Sequence, residues 1–237
     1  MLVHANAGFT VMLTHDALRR ITGRSVKKET DFGLAHDLRL SSRGRGSTTL
    51  RSLEVAGVRL ADVSCAVFDL PTTHWEGMLG VGWLAAAKPV VDFGSHVLSF
   101  PQARAAVGAD GDRLEFALDE SLGRYVADLL VDGSRATFVV STVAGTTLDL
   151  GFARRRGLEL VEGADVEHGP AGAVVPVYGT TRPVELALPR APLAALTPAV
   201  YDTYAYRGEE RPSGVREVAG YLGADVLLAT RAVLDFG

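Results

Sequence analysis

The sequence predicts a mainly β protein built from two pseudo-symmetric lobes with short helices and a cleft between them. Three observations lead to this prediction. One short stretch occurs twice, a second motif occurs twice in the same order, and short apolar runs separated by Gly- and Asp-containing turns fill the segments between them.

The first repeated stretch predicts a strand, a tight turn and a second strand. Residues 139–150 read VVSTVAGTTLDL, and residues 2–13 read LVHANAGFTVML. Both begin with two apolar residues, continue with three mostly small or polar ones, and then place Ala-Gly where the backbone has to turn. A short basic segment follows each copy, THDALRRITG in the first and GFARRRGLEL in the second, and we predict a short helix there.

A second motif is repeated in the same order, so chance is an unsatisfactory explanation for the two repeats. Residues 77–94 read GMLGVGWLAAAKPVVDFG, and residues 220–237 read GYLGADVLLATRAVLDFG, aligned without a gap. We therefore predict an internal duplication, with an N-terminal lobe over residues 1–100, a linker over 101–123 and a C-terminal lobe over 124–237.

These motifs resemble those of the retropepsin-like and pepsin-like aspartic protease family, in its arrangement of two lobes in one chain. The resemblance covers nearly the whole chain and is carried best by the closing Gly-hydrophobic-Leu-Gly motif and the V-x-D-F strand. It implies an acid-protease fold in which each lobe contributes one catalytic aspartate from the first motif. When Ala7 and Ala144 are aligned with the alanine of that motif, His4 and Ser141 stand where the aspartates belong. The chain thus resembles a degenerate member that lacks both aspartates.

The missing aspartates exclude one activity. Aspartic proteases need two carboxylates that share a proton, because their like charges separate the two pKa values and leave one base and one acid. No Asp or Glu lies within two residues of either turn. We expect no peptide cleavage by this mechanism. His4 and Ser141 are the candidates for any other catalysis, with Asn6 and Thr142 positioning a substrate. The alternative is that His4 and Ser141 merely hold the lobes together.

Five further residues are candidates for substrate binding. Arg43 and Arg45 lie in the polar tip of a predicted hairpin, in the position of the family's flap; they suit an acidic ligand group, but a solvated loop is the preferred explanation. Trp75 precedes the first Gly-Leu-Gly motif and either lines a pocket or packs on the surface of its lobe. Tyr178 ends a predicted strand of a hairpin over residues 174–188, and Tyr204 belongs to a tyrosine-rich segment that suits a ligand cleft, an interface or a tied-down loop.

Composition narrows the class of protein. A net charge of −4 and a pI near 5.9 argue against nucleic acid as a partner, and no apolar run approaches the roughly 20 residues that span a bilayer. The single cysteine, Cys65, forbids an internal disulfide, is expected to be a buried thiol and fits a cytoplasmic protein. Because a predicted strand follows Met1 at once, no signal peptide is expected. We expect no cofactor, and the six histidines show no metal-ligand spacing.

Two functions remain open at this stage. The first is a pseudoprotease that binds a small apolar molecule or a peptide in the cleft between the lobes. The second is a non-proteolytic enzyme, for example a cyclase, isomerase or lyase, that uses His4 as general acid or base. Relative to a complete duplicate, each end of the chain lacks one strand, so either the sheet that joins the lobes is reduced or a homodimer shares strands through exposed edges.

Overall fold

The computed structural model describes residues 1–29, 44–69, 74–100, 112–169, 173–211 and 217–237. Strands dominate, and they are β1 (Leu2–Val3), β2 (Val11–Leu13), β3 (Gly46–Val55), β4 (Val58–Val67), β5 (Gly77–Leu79), β6 (Val90–Asp92), β7 (Val97–Ser99), β8 (Phe116–Asp119), β9 (Arg124–Val131), β10 (Ser134–Val140), β11 (Thr147–Asp149), β12 (Leu160–His168), β13 (Val174–Thr180), β14 (Val184–Ala187), β15 (Pro192–Leu196), β16 (Ala199–Tyr201), β17 (Val218–Leu222) and β18 (Val233–Asp235). The helices are short, and they are α1 (His15–Thr22), α2 (Val81–Ala87), α3 (Leu150–Arg155), α4 (Thr203–Arg207) and α5 (Ala224–Ala229).

The same central arrangement of paired strands occurs in each of the two lobes. In the first lobe the sheet order is β1-β5-β2-β4-β3, with β1 parallel to β5, β5 antiparallel to β2, and β2 parallel to β4. In the second lobe β10 is parallel to β17, β17 antiparallel to β11, and β11 parallel to β16. This arrangement confirms the predicted mainly β fold in two lobes.

Tight turns with positive φ close the long hairpins. Ala56 and Gly57, with φ of 49° and 81°, join β3 to β4. Asp132 and Gly133, with φ of 46° and 76°, join β9 to β10, as the Asp-Gly signal in the sequence predicts. Cys65 lies on β4 and is buried, as expected, and this burial raises the pKa of its thiol to about 11.

The helices that follow the closing motifs begin at glycines where any side chain would overlap neighbouring backbone. Gly80 precedes α2 and Gly223 precedes α5. A Cβ atom on Gly80 would collide with the carbonyl oxygen of Phe9, and one on Gly223 with the backbone of Gly145. Each closing motif therefore packs directly on the turn of the first motif in its own lobe, which explains why the two motifs recur together.

A small third sheet joins the lobes. Strand β18 of the second lobe pairs antiparallel with β6 of the first, and β6 pairs with β7. Beside it the rings of Phe116, Tyr125 and Phe236 pack edge to face, with centroids 4.9 to 5.7 Å apart. The aromatic cluster lies within the second lobe, and the lobes are joined by this sheet, which has three strands in the described chain.

Within the segment 101–123, residues 116–119 form β8 and pair with β9 of the second-lobe sheet. One local prediction needs correction. The predicted hairpin over 174–188 is wrong, because β13 pairs with β12 and β16, whereas β14 pairs with β15 and β9. The reason is burial: Val184 and Leu186 of β14 are 0% and 2% exposed, and they reach the core from the β9 side of the sheet.

No helix in the described parts of the chain has both the length and the apolar character needed to cross a membrane.

Replacing either motif glycine by alanine tests this packing. We expect Gly80→Ala and Gly223→Ala each to lower the free energy of unfolding by about 3 kcal/mol, because the added methyl group overlaps backbone that cannot move aside. The matched controls are Gly8→Ala and Gly145→Ala, where an added Cβ meets nothing within 4 Å. Urea denaturation measures all four. Equal losses in the test and control variants would contradict the packing.

Candidate functional site

The two lobes meet where their first-motif turns come together, and Thr142 makes the direct connection. Its Oγ1 accepts a hydrogen bond of 3.0 Å from the backbone N–H of Ala5 and donates one of 2.6 Å to the carbonyl oxygen of Val3. A side chain of the second lobe thus binds the first-lobe backbone on both sides of His4. We call this region, comprising residues 3–6 and 141–143, the junction.

His4 and Ser141 hold equivalent backbone positions in the two lobes. The N–H of His4 donates to the carbonyl oxygen of Leu79, and the N–H of Ser141 donates to that of Leu222, each over 2.8 Å. Since Leu79 and Leu222 are also aligned in the closing motifs, the structure brings the two residues to corresponding points of the pseudo-symmetric junction.

Ser141 is built into its turn. It is 0% exposed, and its Oγ accepts hydrogen bonds from the backbone N–H groups of Ala144 at 3.0 Å and Val143 at 3.4 Å. On the far side of the same turn, Asp225 accepts hydrogen bonds from the N–H and hydroxyl groups of Thr146, at 2.9 and 2.6 Å. A buried hydroxyl engaged in this way stabilises the turn and offers no accessible nucleophile.

His4 has a different environment. Its side chain is half-buried, and neither its buried Nδ1 nor the buried side-chain oxygen Oδ1 of Asn6 has a hydrogen bond of good geometry, although the Asn6 side chain lies near enough to act on the imidazole. Burial lowers the pKa of His4 to about 4; the Asn6 side chain opposes this shift, and the positive charge of Arg124 adds to it. The imidazole is therefore neutral at pH 7.

Arg124 also contacts the junction, and it was not predicted from the sequence. It is the first residue of β9, and its Nε donates to the carbonyl oxygen of Asn6 at 3.3 Å while its Nη2 pairs with Glu209 at 3.3 Å. A single arginine at the start of a strand carries no motif, and its partners lie 118 and 85 residues away. Only the fold brings them together.

The other predicted binding residues lie elsewhere. Arg43 is outside the described residues. The guanidinium of Arg45 lies 5.4 Å from the ring centroid of Phe68, and Trp75 is 41% exposed. Tyr178 packs partly buried against the main core. In the described chain, no hydrogen bond or ion pair links these side chains to His4, Asn6 or Thr142.

Tyr204 is a structural residue here. It is 2% exposed, its hydroxyl accepts a hydrogen bond from the N–H of Val218, and the guanidinium groups of Arg207 and Arg211 lie 4.9 and 4.6 Å from its ring centroid. The ring is fully covered by the protein, so it has no surface to offer to a ligand.

Two surface depressions lie wholly within the second lobe. One is formed by the α3–β12 connection and the end of β13, and the other by strands β9 and β10 with α3; their lining residues are Gly157, Leu158, Glu159, Thr180, Thr181 and Arg182 in the first, and Asp128, Arg135, Ala136, Thr137, Phe152, Glu217 and Ala219 in the second. Neither contains a junction residue.

The contribution of Thr142 can be measured by removing its hydroxyl alone. We expect Thr142→Val to lower the free energy of unfolding by about 2 kcal/mol, because the N–H of Ala5 and the carbonyl oxygen of Val3 lose their partner in a mostly buried setting. Thr142→Ser, which keeps the hydroxyl, is the control and should lose clearly less. Chemical denaturation of wild type and the two variants measures these losses. A serine variant as unstable as the valine variant would show that the methyl group matters instead.

The depressed pKa of His4 predicts a pH dependence. Because the folded-state pKa of His4, about 4, lies below the ordinary histidine pKa of 6.5, protonation favours the unfolded chain, and stability is lost as pH falls from about 6.5 through 4. We expect wild type to lose about 2 kcal/mol more than His4→Asn between pH 7 and 4, after allowing for partial solvent screening. Urea denaturation at both pH values measures this difference. Parallel losses in the two proteins would contradict it.

Comparison with known proteins gives a limited result. No protein-family model matches the chain, and no curated protein matches it. Among solved structures the chain is similar to EIAV protease complexed with the inhibitor HBY-793, at 16% sequence identity and a TM-score of 0.33. The match covers 52% of this chain and 93% of the viral one. The site described above therefore rests on its own geometry.

Proposed function

We propose that this chain is a non-proteolytic protein of the aspartic-protease-like type, formed by internal duplication, that binds a small apolar molecule or a peptide between its lobes. The observation that carries the proposal is the pair of unpartnered polar atoms at the junction, His4 Nδ1 and Asn6 Oδ1. A buried polar atom without a partner costs about 1 to 3 kcal/mol. A ligand that hydrogen-bonds both atoms removes this cost when it binds.

The state of the junction argues against proteolysis. The two positions that correspond by backbone hydrogen bonding carry an imidazole and a hydroxyl, and the hydroxyl of Ser141 is already engaged. Asp225, which does reach the second-lobe turn, accepts hydrogen bonds from Thr146, and no hydrogen bond joins it to another carboxylate in the described chain. A pair of carboxylates sharing one proton, which the aspartic mechanism needs, is therefore not supported.

The charges of the junction limit what binds there. Both atoms belong to neutral groups at pH 7, and Arg124, which donates a hydrogen bond to the carbonyl oxygen of Asn6, is positive. Cationic ligands are disfavoured by that charge. A neutral group with a donor beside an acceptor, such as an amide, suits His4 and Asn6.

The alternative function is a non-proteolytic enzyme with His4 as general base. One observation favours it: the imidazole is neutral at pH 7 and thus able to accept a proton. However, a general base works best when its pKa is near the working pH, and a value of about 4 makes His4 a weak base and leaves it unprotonated as an acid. This is why we place binding first.

Native mass spectrometry of the protein purified from its own cells tests the proposal. We expect wild type to carry a small organic mass that dissociates on collisional activation, and Asn6→Leu to lose it, because leucine keeps the volume of Asn6 but removes its polar atoms. The control is Arg51→Leu, at an exposed position of β3, which should retain the mass.

The same preparations also separate binding from proteolysis. Peptide cleavage that is blocked by an inhibitor directed at catalytic carboxylates would overturn the proposal. A wild-type protein without any retained mass, or an Asn6→Leu variant that retains it as wild type does, would remove its main support. Turnover of the retained molecule that stops in His4→Asn would establish the enzyme alternative.

A further inference from the structure

Glu209 lies between two arginines that have no other acidic partner in the described chain. Its Oε1 is 3.3 Å from Nη2 of Arg124, and its Oε2 is 2.7 Å from Nε of Arg207. Two positive charges thus share one negative charge, which leaves the group with an unbalanced positive charge. We call Arg124 and Arg207 the arginine pair, and Glu209 is its carboxylate.

The second arginine of the pair is buried with a donor unused. The side chain of Arg207 is 5% exposed, and its Nη2 has no hydrogen-bond partner. Its Nη1 donates to the hydroxyl of Tyr221 at 3.3 Å, and its guanidinium lies over the ring of Tyr204. A buried guanidinium with an unsatisfied N–H donor costs free energy. The group that fits this donor is a second carboxylate oxygen.

The geometry allows the carboxylate of Glu209 to leave while the arginines stay. The Glu209 side chain is 38% exposed and follows Gly208, the left-handed cap of α4, with φ of 69°. Arg207 is held by Tyr204 and Tyr221, and Arg124 also donates to the carbonyl oxygen of Leu122 at 2.9 Å. The arginines are therefore pre-positioned, whereas their counter-ion is at the surface.

We propose that Arg124 and Arg207 bind a carboxylate of the ligand, and that Glu209 occupies the pair when no ligand is present. This rests on the proposed function, because Arg124 also donates to the carbonyl oxygen of Asn6 and so joins the pair to the junction. The ligand class is therefore a monocarboxylate whose apolar part lies between the lobes, as in the proposed function, and it is either a free acid or the C-terminus of a peptide.

Isothermal titration calorimetry with hexanoate and with hexanamide, its neutral analogue, tests this on the full chain. Hexanoate should bind wild type at least tenfold more tightly than hexanamide. Glu209→Ala should bind hexanoate at least tenfold more tightly than wild type, because the internal competitor is gone. Arg207→Gln should bind it at least tenfold more weakly; if that variant does not fold, Arg124→Gln serves the same purpose.

The chain offers a matched control in Glu217, which also bridges two arginines, Arg155 and Arg211, rather than Arg124 and Arg207. Glu217→Ala should leave hexanoate affinity within twofold of wild type. An acetylated Ala-Leu peptide with a free C-terminus, compared with hexanoate, identifies the source: tighter binding of the peptide indicates a C-terminus, and tighter binding of hexanoate a free acid.

Three results would overturn the inference: equal binding of hexanoate and hexanamide, equal gains in the Glu209 and Glu217 variants, or no binding of hexanoate to Glu209→Ala at millimolar concentration. If any of these occurs while the wild-type protein still carries a retained mass that depends on Asn6, the carboxylate inference fails and the proposed junction site stands. If the Asn6-dependent retained mass is also absent, both the carboxylate inference and the proposed function fail.

Discussion

The hydroxyl of Thr142 is the contact on which the arrangement of the two lobes depends. It satisfies one donor and one acceptor of the first-lobe backbone, on either side of His4. The joining sheet of β18, β6 and β7 fixes the lobes at one place, and at the junction this hydroxyl and Arg124 bind the first-lobe turn. Both links come from the second lobe, so the first-lobe turn is held mainly from outside itself.

This one-sidedness follows from how the two copies of the first motif differ. The residue that corresponds to Thr142 in the first lobe is Ala5, which is fully buried and has no hydroxyl to return the contact. Ser141 closes its own turn, whereas His4 stands in the same position with its Nδ1 unpartnered. The second-lobe turn is further fixed by Asp225, and its counterpart in the first lobe is Gly82. Unsatisfied polar atoms therefore gather on the first-lobe side of the junction.

Much of the fold could be predicted because the repeats record local requirements. Gly80 and Gly223 recur because each must lie against the turn of its own lobe, and the Asp-Gly turn between β9 and β10 follows from its sequence alone. The pairing of β14 could not be predicted, since Val184 and Leu186 suit a core strand in either register and only the position of β9 decides. Tertiary packing overrides local pattern at such points.

The site was predictable only where it coincides with a motif. Aligning Ala7 with Ala144 was enough to place His4 and Ser141, but it gave no sign that Ser141 would be fully covered. Arg124 and Glu209 are 85 residues apart and belong to no repeated stretch, so a lone charge was the only signal. Long-range ion pairs leave no local signature in one sequence, because any exposed arginine looks the same until the fold supplies its partner.

The electrostatics of the junction favour neutral side chains at the positions of His4 and Ser141. Two carboxylates at these positions would repel each other unless one held a proton, and Arg124 would favour their ionised forms. An imidazole next to Arg124 responds in the opposite way: the positive charge and burial both keep it unprotonated. Over the range from about pH 5 to 8, the charge of His4 therefore does not change. A ligand bound through His4 and Asn6 would be held without proton uptake, which suits a binding site better than acid–base catalysis.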